Sequence, residues 1–113
     1  MAKYFICSAD RQGSCYYEFF MGPWDIKKMQ FWHKDSICIT DGEFYSTGLA
    51  AIIEETIPAY DPFDNTEVKK KEWDIIVQKA TEAGGKTREA VEEADEWAKQ
   101  NFFQHKVFTI LGM

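Results

Sequence analysis

Apolar residues along the chain follow two spacings, one typical of strands and one typical of helices. Segments rich in β-branched and aromatic residues, bounded by turn residues, predict strands at 3–8, 14–20, 37–39 and 106–111. A further strand is predicted at 27–32, although neither alternating face of that segment is purely apolar. We expect the first four strands to form an antiparallel meander, with the last strand beside the first.

Three segments carry apolar residues at the three- and four-residue spacing of a helix face. The first runs from Phe44 to Ile57, with Ser46 or Thr47 as its cap, the second ends at Gly84-Gly85, and the third is capped by Thr87. The predicted buried faces are Tyr45, Leu49, Ile52, Ile53 and Ile57, then Trp73, Ile76, Val77 and Ala80, then Ala90, Val91, Ala94, Trp97 and Ala98. This order predicts a single α+β domain over residues 1–113, with a five-stranded, mainly antiparallel sheet (four N-terminal strands plus the C-terminal strand) and three helices.

Charge and cysteine content narrow the classes of function. The 113 residues include 13 Lys and Arg against 19 Asp and Glu, a net charge of −6, which disfavours a nucleic-acid partner. No apolar stretch approaches the roughly 20 residues that a membrane helix needs. Three cysteines without a CxxC pair, and no signal peptide after Met1, are typical of a protein of the reducing cytoplasm.

Soft metal ligands and nucleophiles are few and widely spaced. Cys7, Cys15, Cys38, His33 and His105 are the whole set, and only Cys7 and Cys15 are placed to face each other, across the first hairpin. Zinc ligands usually come in close pairs, and a nucleophilic thiol needs an activating neighbour, so buried, inert cysteines are the favoured interpretation. We therefore expect no catalytic residue, no metal and no cofactor.

The clearest charge feature is an acidic cluster on the third predicted helix. Its members are Glu89, Glu92, Glu93, Asp95 and Glu96. Glu89, Glu93 and Glu96 share one helix face, and we expect all three to be exposed. Acidic clusters of this kind are a common means of binding a basic partner, while buried rings usually supply the affinity. Tyr60 and Phe63, in the loop that follows Pro58, are the predicted rings of such a binding site.

A short, acidic chain with aromatic strands, an acidic helical hairpin and a closing apolar strand resembles the immunity proteins of bacterial polymorphic and contact-dependent inhibition toxins. The resemblance covers the whole chain as a general pattern and involves no specific motif. It implies a cytoplasmic protein, not an enzyme, that neutralises a basic toxin domain by stoichiometric binding, and it leaves the oligomeric state open.

Two alternatives share some of these features. Small acidic phage inhibitors of host defence, anti-CRISPR proteins among them, match the same description and also act by binding. A different class is a small ligand-binding or enzymatic domain that uses its many rings, 16% of the chain, as a pocket. Such a pocket would be lined by Trp24, Trp32 or Tyr17, with a cysteine at its base.

Overall fold

A computed structural model describes residues 3–12, 15–25, 27–28 and 31–112. The strands are β1 (Phe5–Cys7), β2 (Tyr16–Met21), β3 (Ile37–Thr40), β4 (Asn65–Lys69) and β5 (Val107–Leu111). The α-helices are α1 (Asp41–Ser46), α2 (Leu49–Thr56), α3 (Lys70–Ala83) and α4 (Gly85–Gln104), and a short 3₁₀ helix covers Ser8–Asp10. The predicted class, one α+β domain with a five-stranded antiparallel sheet, is confirmed.

The order of strands in the sheet differs from the predicted meander. It is β1-β3-β2-β5-β4, so β3 separates β1 from β2, and β5 pairs with β2 and β4 and not with β1. Burial accounts for this order, because β2 and β5 are buried on both faces and lie inside the sheet. The three-residue β1 and the alternately exposed β4 form the edges, as short and polar strands usually do.

Two segments were assigned the wrong structure from sequence. Of the strand predicted at 27–32, Lys27 and Lys28 lie in a turn, Phe31 and Trp32 lie outside any strand, and residues 29–30 are outside the described part of the chain. Residues 65–69, where the sequence analysis predicts no strand, form β4 because Thr66 and Val68 alternate inward between exposed neighbours. The sheet therefore has three strands before the first helix, and not four, and β4 follows α2 in the chain.

The first predicted helix is broken in two. Gly48 adopts φ +86°, a left-handed conformation that favours glycine, and it separates α1 from α2. Thr40 caps α1 by accepting a hydrogen bond from the Glu43 N–H at 3.2 Å, so neither Ser46 nor Thr47 caps this helix. Thr87 likewise does not cap α4, which begins at Gly85, and its hydroxyl donates to the Thr47 carbonyl.

The helices pack on one face of the sheet, which we call the helix face. Phe108 lies at the centre of this face. The centroid of its ring is 5.2–5.8 Å from the ring centroids of Phe19, Trp73, Trp97 and Phe102. Ten of the predicted inner residues are buried: Leu49, Ile53, Ile57, Trp73, Ile76, Ala80, Ala90, Val91, Ala94 and Ala98. Ile52, Val77 and Trp97 are partly buried against this core. Tyr45 is the error, since it lies on α1 beyond the break and is exposed.

The opposite face of the sheet is covered by residues 22–25 and 31–36, which we call the cover segment. Glu18, in the middle of β2, points into this face and is only 1% exposed. Its carboxylate accepts hydrogen bonds from the backbone N–H groups of Trp32, at 2.7 Å, and His33, at 2.9 Å. The His33 ring packs edge-on against Phe20. A buried carboxylate thus fixes a segment that has no regular secondary structure.

Candidate protein-binding surface

The acidic cluster of α4 contains one carboxylate with a structural role. Glu93 is partly buried and accepts hydrogen bonds from three consecutive backbone N–H groups, those of Lys3 at 2.8 Å and of Tyr4 and Phe5 at 2.9 Å each. These bonds fix the start of β1 on α4. The expectation that Glu93 is exposed is therefore wrong, because its oxygens are already used within the fold.

The remaining three predicted glutamates, Glu89, Glu92 and Glu96, are exposed on α4 and form what we call the acidic ridge. Glu89 accepts a hydrogen bond from the Tyr4 hydroxyl at 3.1 Å, and Glu92 pairs with Arg88 at 2.8 Å. Ion pairs this exposed are weak and leave the carboxylates accessible to another protein. The ridge is thus a surface that presents negative charge along successive turns of one helix.

An apolar groove of about 390 Å³ lies between α3 and α4. It is lined by Lys70, Trp73, Asp74, Val77, Asp95, Lys99, Phe102 and Phe103. Asp95 accepts a hydrogen bond from Trp73 Nε1 at 2.9 Å, which joins α4 to α3 at the groove. Within α4, Asp95 also pairs with Lys99 at 3.3 Å. We call this feature the α3–α4 groove.

Phe103 extends the ridge into this groove. It follows Glu96 by seven residues, two turns further along the same side of α4, and it is 85% exposed. A large ring in solvent beside an apolar groove is a typical anchor of a protein interface. Phe103 is not among the predicted binding residues. Its position outside the predicted inner face of the helix was the available signal that its ring is exposed.

Tyr60 is not a surface anchor. It is 9% exposed, and its hydroxyl is buried without a hydrogen-bond partner in the described part of the chain. The pKa of this hydroxyl is raised above its ordinary value, mainly by burial and to a smaller extent by the neighbouring Tyr45 and Glu54. The prediction that Tyr60 contributes an exposed ring is wrong because the loop after Pro58 folds this side chain into the core.

Phe63 is exposed, at 81%, but it lies on the other side of the sheet from the ridge. It lines a second groove, of about 290 Å³, together with Trp24, Phe31 and Leu111. Leu111 is paired with Glu18 in the sheet and so points to the face under the cover segment, whereas α4 packs on the helix face. The six predicted binding residues therefore do not form one surface.

The cysteines are separate from one another. Cys7 and Cys15 are exposed, so the interpretation that all three cysteines are buried is wrong for these two. Cys7 ends β1 and Cys15 precedes β2, and β3 lies between those strands, so the two thiols do not face each other across a hairpin. Cys38 is buried, with its sulfur 3.4 Å from the Ser8 hydroxyl, and burial raises the pKa of its thiol to about 11. Such a thiol stays protonated near neutral pH and is a poor nucleophile. Within the described residues, no three His, Cys, Asp or Glu side chains are grouped as metal ligands would be.

The pocket predicted for the ligand-binding alternative has a different composition. Tyr17 is in the core, against Phe44. Trp24 lines the groove with Phe63, and Trp32 lines another groove with Arg11. Cysteines are absent from the described linings of both grooves.

The chain matches no family model, no curated protein and no solved structure. No helix among the described residues is both long enough and apolar enough to cross a membrane. The fold and its surfaces define a small α+β domain whose exposed features are an acidic ridge, an adjoining apolar groove and a separate aromatic groove.

Proposed function

We propose that this protein is a cytoplasmic, stoichiometric inhibitor of a basic protein, in the manner of an immunity protein that neutralises a bacterial toxin domain. The observation that carries the proposal is the continuity of the acidic ridge with Phe103 and the α3–α4 groove. This surface combines exposed negative charge with an exposed ring, the two properties that a specific protein interface needs.

The two parts of the surface have different roles. Glu89, Glu92 and Glu96 attract a basic partner over a distance and orient it, which raises the association rate. Phe103 then enters an apolar contact with the partner, while partner side chains fill the space above Trp73 and Val77. Removal of apolar area from water at this point slows dissociation.

A capture experiment with charge-matched variants tests the proposal. The wild-type chain, Glu92→Lys/Glu96→Lys and Glu54→Lys/Glu67→Lys are each immobilised and exposed to host lysate at low salt. The control positions are exposed on α2 and β4, away from the ridge, and the control carries the same change in net charge. A basic protein retained by the wild type and the control, but lost by the ridge variant, supports the proposal.

The captured protein then distinguishes an immunity protein from the alternatives. A toxin domain whose activity falls to zero at one equivalent of this chain identifies an immunity protein. A component of a host defence system identifies an anti-defence inhibitor that uses the same surface. A partner with an acidic surface, or equal capture by all three baits, would contradict the electrostatic basis of the proposal.

A further inference from the structure

The α3–α4 groove follows both of its helices for about two turns. Its lining residues lie on one stripe of each helix, at three- and four-residue spacings. They are Lys70, Trp73, Asp74 and Val77 on α3, and Asp95, Lys99, Phe102 and Phe103 on α4. Two turns measure about 11 Å, so the groove matches the apolar face of a further helix laid along it, whose side chains recur at the same spacings.

The floor of the groove is apolar and belongs to the core. Trp73 is buried, and Val77 and Phe102 are partly buried against the core. Phe103 stands at the rim with 85% of its surface in solvent. An apolar helix in the groove removes the exposed parts of these side chains from water, which favours docking.

Charge on the rims is balanced, and the acidic ridge begins where the rim of α4 ends. Lys70 pairs with Asp74 at 3.1 Å, and Lys99 pairs with Asp95 at 3.3 Å. Glu96, next along the same side of α4, is exposed and has no ion pair within the described residues. A helix that extends beyond the groove along α4 therefore meets uncompensated negative charge, which basic side chains complement.

The two edges of the sheet are poorly suited to bind a partner strand. Such a strand pairs its backbone with an open edge, and the edge strands here are β1 and β4. At β1, the Glu93 carboxylate already accepts hydrogen bonds from the N–H groups of residues 3–5. At β4, the first and last N–H groups of the strand donate to nearby carboxylates, at 2.7 and 2.9 Å. An added strand would have to displace these carboxylates, so a helix is the favoured occupant.

We propose that the α3–α4 groove binds a basic amphipathic helix of the partner, an inference that rests on the proposed function. The apolar face of that helix lies on the groove floor and against Phe103. Glu96 and Glu92 precede Phe103 by seven and eleven residues, which is about 10 and 16 Å along α4. A second helix laid along α4 rises at the same rate, so it carries Lys or Arg about seven and eleven residues from the apolar residue that contacts Phe103.

Three synthetic peptides of about 18 residues, long enough to form a helix, test the groove without the natural partner. The first has a leucine stripe at helical spacing and two lysines at the proposed positions. The second has the same composition in an order without a stripe, and the third has the stripe with glutamates in place of the lysines.

Binding is followed by NMR in ¹⁵N-labelled protein, through the indole N–H resonance of Trp73, which donates to Asp95 at the groove. Trp97 is the internal control, because its indole N–H donates to the Asp35 carbonyl and it does not line the groove. We expect the first peptide to shift the Trp73 resonance saturably and to leave that of Trp97 unshifted. The third peptide should bind at least about tenfold more weakly, and the second should not bind.

Two pairs of matched variants decide whether the site is the one proposed. Phe103→Ala should weaken binding of the first peptide about tenfold, the usual effect of losing a ring anchor, whereas Phe63→Ala should leave it unchanged. Glu96→Lys should weaken it about fivefold or more, and Glu67→Lys, with the same charge change on β4, should have a clearly smaller effect. All four positions are exposed, so these variants should fold as the wild type does.

Other outcomes overturn the inference. An unshifted Trp73 resonance, equal binding of the first and second peptides, or an unchanged affinity in Phe103→Ala would each show that the groove does not take a helix. A dimer of this chain that Phe103→Ala dissociates, detected by analytical ultracentrifugation, would show instead that a second copy fills the groove.

The peptide and capture experiments together separate this inference from the proposed function. If the peptides fail to bind but capture of a basic protein still depends on Glu92 and Glu96, the helix is wrong and the proposed function stands. If the first peptide binds as expected but no basic protein is captured, the groove binds helices and the proposed function is wrong.

Discussion

The two faces of the sheet are covered in opposite ways. The helix face is sealed by regular helices whose apolar residues recur every three or four positions, and its centre is a cluster of rings around Phe108. The other face is sealed by the cover segment, which is irregular and is fixed by the buried Glu18 carboxylate. Apolar packing tolerates many sequences, whereas a buried carboxylate requires particular donors, so the two faces should respond differently to mutation.

The largest expected effect is on the helix face. Phe108→Ala removes a fully buried ring that four other rings contact, so the free energy of unfolding should fall by about 3–5 kcal/mol. Phe63→Ala is the matched control, because it removes the same ring from a site that is 81% exposed, and it should change stability by less than about 0.5 kcal/mol. Chemical denaturation measures both variants, and equal effects would show that the helix face is wrongly described.

The corresponding change on the other face is Glu18→Gln. An amide offers one acceptor oxygen where the carboxylate uses two, one for Trp32 N–H and one for His33 N–H. Leaving one buried N–H without a partner should cost about 1–3 kcal/mol. If instead the variant is as stable as the wild type, the carboxylate does not hold the cover segment.

Two glutamates of α4 give a smaller and more specific comparison. Glu93→Gln keeps one oxygen for Tyr4 and Phe5 but places an amide nitrogen at the Lys3 N–H, which should cost about 1 kcal/mol. Glu96→Gln, on the exposed ridge of the same helix, should change stability by less than about 0.5 kcal/mol. Denaturant midpoints that rank these two variants in the reverse order would contradict the division between structural and exposed carboxylates.

The mildest perturbation is chemical labelling of the thiols. Cys7 and Cys15 are exposed and should react with a thiol reagent at pH 8, whereas Cys38 is buried on the face under the cover segment. Its thiol pKa of about 11 leaves little thiolate at that pH, so its reaction should be about 100-fold slower. Three equally fast thiols would show that the cover segment does not seal this face. Faster labelling of Cys38 in Glu18→Gln would show that the Glu18 carboxylate keeps the cover segment in place over Cys38.

Sequence reasoning succeeded where structure follows from local periodicity. The inner faces of α3 and α4, such as Ile76 and Ala94, are encoded by spacing within the helix, and the class of fold follows from the order of such segments. It failed where the deciding contact is distant in sequence. Glu93 accepts hydrogen bonds from N–H groups about 90 residues away in the sequence, and no local sequence pattern predicts that contact.

The same reason explains what was predicted of the candidate surface. The acidic cluster was visible as composition, but its division into structural Glu93 and exposed Glu96 depends on where β1 docks. Tyr60 and Phe63 are three residues apart in one loop, yet one ring is buried and the other is not. Loop rings carry no periodicity that separates these outcomes, whereas Phe103 is outward by its place on a helix.

The most direct test of the account is the kinetics of binding between this chain and the basic protein captured by it. We expect Glu92→Lys/Glu96→Lys to lower the association rate about tenfold or more at low salt, with a smaller difference at high salt. Phe103→Ala should mainly raise the dissociation rate. The controls Glu54→Lys/Glu67→Lys and Phe63→Ala should have smaller effects on both the association rate and the dissociation rate. If the Phe63 and Phe103 variants exchange these roles, or if the ridge variant associates at the wild-type rate, the docking surface is not the acidic ridge with the α3–α4 groove.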